Sequence, residues 1–187
     1  MSELHRVFFA LPLPEAAIPV LEAAASRALP EAASLEPRMQ RGSRLHVTLK
    51  FVGSVDATVF SKLVQLTASE ARRFEAFDAS LAHVTAFPSP RRARVLVALV
   101  ASESKVLPEL ARSLDEACGE LGVARESRAF RAHVTLARFR RPGNAMAAIA
   151  AAELEPIGVR MSELVLFEST LGASGARYER RAAAHLG

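Results

Sequence analysis

The chain has a single cysteine, Cys118, and no tryptophan. One thiol excludes an intrachain disulfide and suits a reducing compartment. No apolar run approaches the ~20 residues that a membrane-crossing helix needs. The start, Met1-Ser-Glu-Leu-His-Arg6, lacks the basic stretch, apolar stretch and small-residue cleavage site of a secretory leader. A cytoplasmic protein with no membrane partner is therefore the expectation. Lysine is scarce as well: Lys50, Lys62 and Lys105 are the only lysines among 24 basic residues. The formal charge of +4 and the pI near 10.0 thus rest on arginine, whose planar fork of donors fits phosphate oxygens. Composition alone does not choose between a nucleic-acid partner and a plain habit of using arginine and alanine. Long linkers and low-complexity tracts are missing, and 187 residues suffice for one well-buried domain or two small lobes sharing a core.

What is present is an interleaving of strand and helix patterns. Arg6–Leu13 reads as a strand closed by Pro12 and Pro14, followed by an alanine-rich helix over roughly 15–28. A polar stretch from Arg38 to Arg44 leads into a strand over His46–Val52. Asp56 is placed to cap a second helix whose Val59, Leu63, Leu66 and Phe74 share a face. Strands are expected at about 76–87 and 93–101, and a third helix at 103–121, stopped by Gly122. A strand through His133–Arg138, a short helix near 144–152 and two closing strands at about 159–168 and 175–182 complete the pattern.

One segment occurs twice. Ser43-Arg-Leu-His-Val-Thr-Leu-Lys-Phe51 matches Phe130-Arg-Ala-His-Val-Thr-Leu-Ala-Arg138, with the histidines 87 positions apart, nearly half the chain. Two copies are too few for a solenoid and point to two similar α+β lobes related by approximate symmetry. On a strand, residues two apart share a face. His46 and Thr48 therefore project together, as do His133 and Thr135, while Val47, Leu49 and Phe51 in the first copy, and Val134 and Leu136 in the second, face a core. Two imidazoles and two hydroxyls meeting in a cleft suit in-line displacement at phosphorus. One histidine can take a proton from attacking water while the other protonates the leaving oxygen. Imidazole's ordinary pKa near 6.5 allows both roles at neutral pH, and threonine hydroxyls can donate to the non-bridging oxygens.

His83-Val-Thr-Ala-Phe carries the tripeptide a third time, only 37 positions after His46. Three histidines with an open position could hold zinc. No pair of them has helical i,i+4 spacing and no carboxylate adjoins them, so His83 is expected to be structural or exposed. His5 and His185 carry no local motif.

The paired segments His46-Val-Thr-Leu-Lys-Phe-Val-Gly53 and His133-Val-Thr-Leu-Ala-Arg138 resemble the two His-x-Thr-x signatures of the 2H phosphoesterases. The similarity is greatest to the RNA 2′,3′-cyclic phosphodiesterases, also described as 2′–5′ RNA ligases. Arg6-Val-Phe-Phe-Ala-Leu11, Phe87-Pro-Ser-Pro-Arg-Arg-Ala-Arg-Val-Leu96 and the segment from Glu168 to Glu179 extend the resemblance over nearly the whole chain. His83, in place of a small residue, and the lack of a tryptophan after Leu96 depart from the family pattern.

The resemblance implies one bilobal domain over 1–187, with one motif (46–49 and 133–136) per lobe. Its fold would be α+β, with two pseudo-symmetric antiparallel sheets around a central cleft and helices outside. It implies opening of an RNA 2′,3′-cyclic phosphate to a 2′-phosphomonoester without metal or cofactor, and reversible 2′–5′ ligation. His46 would be the proton donor and His133 the acceptor, with Thr48, Thr135 and Arg138 holding the phosphate. Strict alternation turns Arg138 away from His133, so it reaches the cleft only if the strand bends or ends near 137. Lys50 alternates with His46 at the cleft mouth. RNA ends, tRNA fragments among them, are the expected partner, and a monomer is the expected state. The alternatives are a phosphodiesterase for small cyclic nucleotides or tRNA-splicing cyclic phosphates, and a non-catalytic RNA-end binder.

Overall fold

Eight residues of unbroken strand-forming character, His5–Pro12, form β1, which is buried along most of its length. Such a strand needs partners on both edges, and it has them: His46–Val55 on one side and Val165–Glu168 on the other. The computed structural model describes residues 4–172 and 175–187. Met1–Glu3, at the N-terminal start, and Ala173 and Ser174, within the last segment of the family resemblance, lie outside the described residues.

In chain order the elements are β1, α1 (Ala17–Ala28), β2 (Pro37–Met39), β3 (His46–Val55), α2 (Ala57–Ala71), β4 (Phe77–Phe87), β5 (Ala93–Ala101), α3 (Val106–Glu120), β6 (His133–Gly143), α4 (Met146–Ala152), β7 (Ile157–Met161), β8 (Glu163–Gly172) and β9 (Gly175–His185). The strands run in the order β7-β4-β5-β6-β3-β1-β8-β9, with β2 added to β6, and the pairings are antiparallel. Reading outward from the β6–β3 junction, each half repeats the other: β3, β1, β8, β9 against β6, β5, β4, β7. This is the bilobal α+β architecture that the sequence pattern suggests, and the halves join through one residue pair, Val47 opposite Val134.

The helices cross over between halves. α1 follows β1 yet packs with α4 behind β6 and β4, whereas α3 follows β5 and packs with α2 behind β3, β8 and β9. Arg27 on α1 donates to the carbonyls of Ala152 and Glu153 at 2.9 and 2.8 Å, satisfying acceptors left open at the end of α4. Asp56 caps α2 by accepting from the Val59 N–H at 2.9 Å. Leu107, Leu110, Leu114 and Cys118 form the buried stripe of α3. That helix ends where Gly122 takes φ +82°, a conformation that costs glycine little. Burial pushes the Cys118 thiol up to about 12, so it behaves as a small apolar core residue. No described helix is long and apolar enough to cross a membrane.

Three local expectations need correction. The closing region holds three strands rather than two, because the chain breaks at Ser162 and its flanks join opposite halves, β7 on β4 and β8 on β1. Nothing between the buried Met161 and Leu164 signals that crossing. Phe74 packs on the core but lies beyond α2, which stops at Ala71. The Arg38–Arg44 stretch is not wholly irregular, since Pro37–Met39 pairs with β6.

Candidate functional site

The junction between the halves sets the site. Extended from Val47 and Val134, the antiparallel register brings His46 alongside Thr135 and Thr48 alongside His133. The two histidines are near enough for the charge of His133 to act on the His46 ring. One phosphorus centre with its oxygens fits between side chains so placed. All four line one cleft of about 720 Å³, while Val134 and Leu136 lie fully buried on the opposite face.

Each ring is fixed by its main chain. His46 Nδ1 lies 3.2 Å from the Ser43 carbonyl and His133 Nδ1 lies 2.6 Å from that of Arg131. A carbonyl only accepts, so Nδ1 carries the hydrogen in both rings and Nε2 is left for the cleft. His46 sits among aromatic rings, with centroids 5.1 Å to Phe8, 5.7 Å to Phe167 and 5.5 Å to Tyr178. That burial pushes its ring down to about 4, with the nearby Arg138 and His133 adding to the effect against the Ser43 bond. Burial likewise lowers the His133 ring, helped by Arg131 and Arg138 and opposed by the Arg131 carbonyl. Phe87 stands edge-on to His133 at 5.0 Å, and the Arg131 guanidinium lies 4.2 Å from the centre of the Phe87 ring.

Two matching irregularities set the direction of the side chains beyond each threonine. Between β1 and β3, Phe9 pairs with Lys50 and Ala10 with Thr48, so Leu49 is an extra residue. Between β5 and β6, Leu96 pairs with Ala137 and Val97 with Thr135, so Leu136 is the extra one. A bulge of this kind resets the alternation. Arg138 consequently lines the cleft, where strict alternation would have turned it away. In the first copy the same bulge overturns one expectation. Phe51, expected in the core, is 56% exposed and lines the cleft. Lys50 lines the cleft as expected, yet it is only 4% exposed and donates to Asp115 at 2.6 Å and to the Ala124 carbonyl at 2.7 Å. Although burial works against it, Asp115 is held below the usual carboxylate range by hydrogen bonds from Lys50, the Glu126 N–H and Arg125. This cluster ties the segment after α3, which carries Arg128, Phe130 and Arg131 along the cleft wall, to β3.

His83 lies exposed on β4 and is not among the residues lining the cleft. Among the described residues no three His, Cys, Asp or Glu side chains converge. Arg44, Phe51, Phe87, Arg131 and Tyr178 also line the cleft or pack against its histidines. Sequence reasoning misses them because single aromatics and arginines carry no periodic signal. Only Phe51 has a signal of its own, since aligning the two repeats puts it at the position of Arg138.

The arrangement offers two proton-carrying groups on either side of a phosphate-sized gap, with hydroxyls and a guanidinium around it. Comparison with known proteins agrees in kind. The RNA 2′,3′-cyclic phosphodiesterase of Aeropyrum pernix is 30% identical over 138 residues, 72% of this chain and 77% of its own. The protein of that name from Methanothermobacter thermautotrophicus is 30% identical over 152 residues, 79% and 82% of the two chains. The crystal structure of a Thermus thermophilus protein shares the fold, with a TM-score of 0.80 at 24% identity over 97% of both chains. Residues 12–173 match the family model described as the 2′-5′ RNA ligase superfamily, and the chain belongs to that superfamily.

Proposed function

We propose that the protein hydrolyses 2′,3′-cyclic phosphate ends of RNA to 2′-phosphomonoesters. The observation that carries this reading is that His46 and His133, each next to the residue pair that joins β3 and β6, line one cleft, each with Nδ1 against a carbonyl. His133 takes the proton of a water attacking phosphorus, and His46 gives a proton to the departing 3′ oxygen opposite it. Thr48 and Thr135 donate to the non-bridging oxygens and Arg138 offsets their charge, which grows in the transition state.

The lowered rings support a substrate-linked protonation. In the empty cleft His46 is neutral at pH 7. An anionic phosphate beside Arg138 neutralises the cation that disfavours His46's proton and attracts that proton itself. Both effects raise the ring's hold on a proton, against the burial that is the larger cause of its lowering. Phe51, a flat apolar ring in the wall of the cleft, is suited to stack on the terminal base. The whole reading treats the chain as one bilobal catalytic unit, with one histidine from each half.

The test is incubation with an RNA ending in a 2′,3′-cyclic phosphate, with the product assigned by phosphorus NMR. Accumulation of a 2′-phosphate supports the reading; an untouched cyclic end, or a 3′-phosphate, refutes it. Adding excess 5′-hydroxyl RNA to the same reaction tests 2′–5′ joining.

A further inference from the structure

Where β2 pairs with β6, Arg38 stands directly opposite Arg138. Opposed residues have Cα atoms about 4.5–5.5 Å apart and project from the same face. Arg138 lines the cleft, so Arg38 lies on the cleft face one strand further out, and both are exposed. Like charges in this relation repel. Neighbouring arginines have that strain relieved by carboxylates: Arg140 and Arg141 engage Glu36 at 3.6 and 2.8 Å, and Arg41 engages Glu22 at 3.5 Å. Among the described residues no carboxylate lies within ion-pairing distance of Arg38 or Arg138. The backbone is fixed as well. The Gln40 N–H donates to the Leu136 carbonyl at 2.8 Å and its side chain donates to the Arg38 carbonyl at 3.3 Å. These bonds hold β2 against β6, so the two arginines stay opposed at their backbones.

We infer that Arg38 forms a second phosphate subsite, which takes the phosphodiester on the 5′ side of the terminal nucleoside while Arg138 faces the cyclic phosphate. The inference rests on the hydrolytic reading and narrows its substrate to a chain rather than a lone cyclic nucleotide. An anion over Arg38 converts a repulsive pair into a clamp on consecutive phosphates, and arginine's forked donors suit each of them. A nucleoside cyclic phosphate has a single phosphate and leaves Arg38 unused.

The experiment compares two short RNAs with the same 2′,3′-cyclic end, one natural and one with an uncharged methylphosphonate at the linkage before the last nucleoside. Wild-type protein is expected to favour the natural RNA about tenfold in kcat/KM at low salt. Arg38→Ala should erase that preference through KM, leave the methylphosphonate RNA unaffected, and lower the salt slope on the natural RNA by about 0.7. Arg38→Lys, which keeps the charge, should retain most of the preference. Equal rates on the two RNAs in wild type, or an equal loss on both in Arg38→Ala, would overturn the subsite while hydrolysis stands. If wild type cleaves neither RNA, the hydrolytic reading fails and the subsite falls with it.

Discussion

The buried state of His46 has a thermodynamic cost that can be measured without any substrate. Burial among Phe8, Phe167 and Tyr178 pushes its ring from the ordinary 6.5 down to about 4, and unfolding restores the ordinary value. Between these limits the unfolded chain binds a proton that the folded one refuses, so stability drains as pH falls. The contribution is complete above pH 6.5 and gone below pH 4. A gap of between two and three pH units at about 1.4 kcal/mol each amounts to about 3 kcal/mol in full, of which about 2 kcal/mol is lost by pH 5. Urea unfolding at pH 7.5 and pH 5 isolates this term when wild type is compared with His46→Asn. The asparagine amide can donate to the Ser43 carbonyl in place of Nδ1 and does not titrate. Wild type should lose about 2 kcal/mol more than the variant over that interval. Parallel losses in the two proteins would show that the ring titrates as if exposed, and the substrate-linked protonation that depends on its burial would fall.

Replacing His133 with alanine should lower turnover of a cyclic-ended RNA at least ~10²-fold with an unchanged urea midpoint, as read by product formation under saturating substrate. Phe51→Ala should weaken substrate binding by about 1–2 kcal/mol, a KM rise of roughly five- to thirtyfold, with little change in thermal midpoint because the ring is already largely exposed. Lys50→Met leaves Asp115 with only Arg125 and the Glu126 N–H and should cost about 3 kcal/mol in urea unfolding; a loss under 1 kcal/mol would mean that the cluster does not hold the segment. Turnover should survive exhaustive chelation, and activity lost to chelator and restored by zinc would favour a metal mechanism instead.

The doubled His-Val-Thr-Leu segment makes the two-halved architecture legible, because a duplicated strand with one polar and one apolar face has few ways to be buried. The helices are legible from spacing and caps, Asp56 and Gly122 being the clearest. The bulges at Leu49 and Leu136 are not. They depend on how the neighbouring strands, β1 and β5, pair with these segments, and a two-residue period read along one strand contains no information about its partner. That single omission misplaces Phe51, and it hides the burial of Lys50. The crossing at Ser162 is hidden for a related reason: Val159 and Met161 of β7 and Leu164, Val165, Leu166 and Phe167 of β8 are all buried, so the apolar residues continue through a change of sheet half. Arg38 stays invisible because opposition across strands is a property of topology.

The cleft is built on a near-twofold plan, and among the places where that plan is broken is one matched pair in the cleft wall. Where one half offers a guanidinium at Arg138, the other offers the phenyl ring of Phe51. Were both halves alike, a phosphodiester could enter in either of two orientations, and each histidine would meet the leaving oxygen half the time. With an apolar plate on one side and a cation on the other, the two ends of the cleft are chemically unlike, which gives a bound strand under the proposed reading a basis for preferring one orientation.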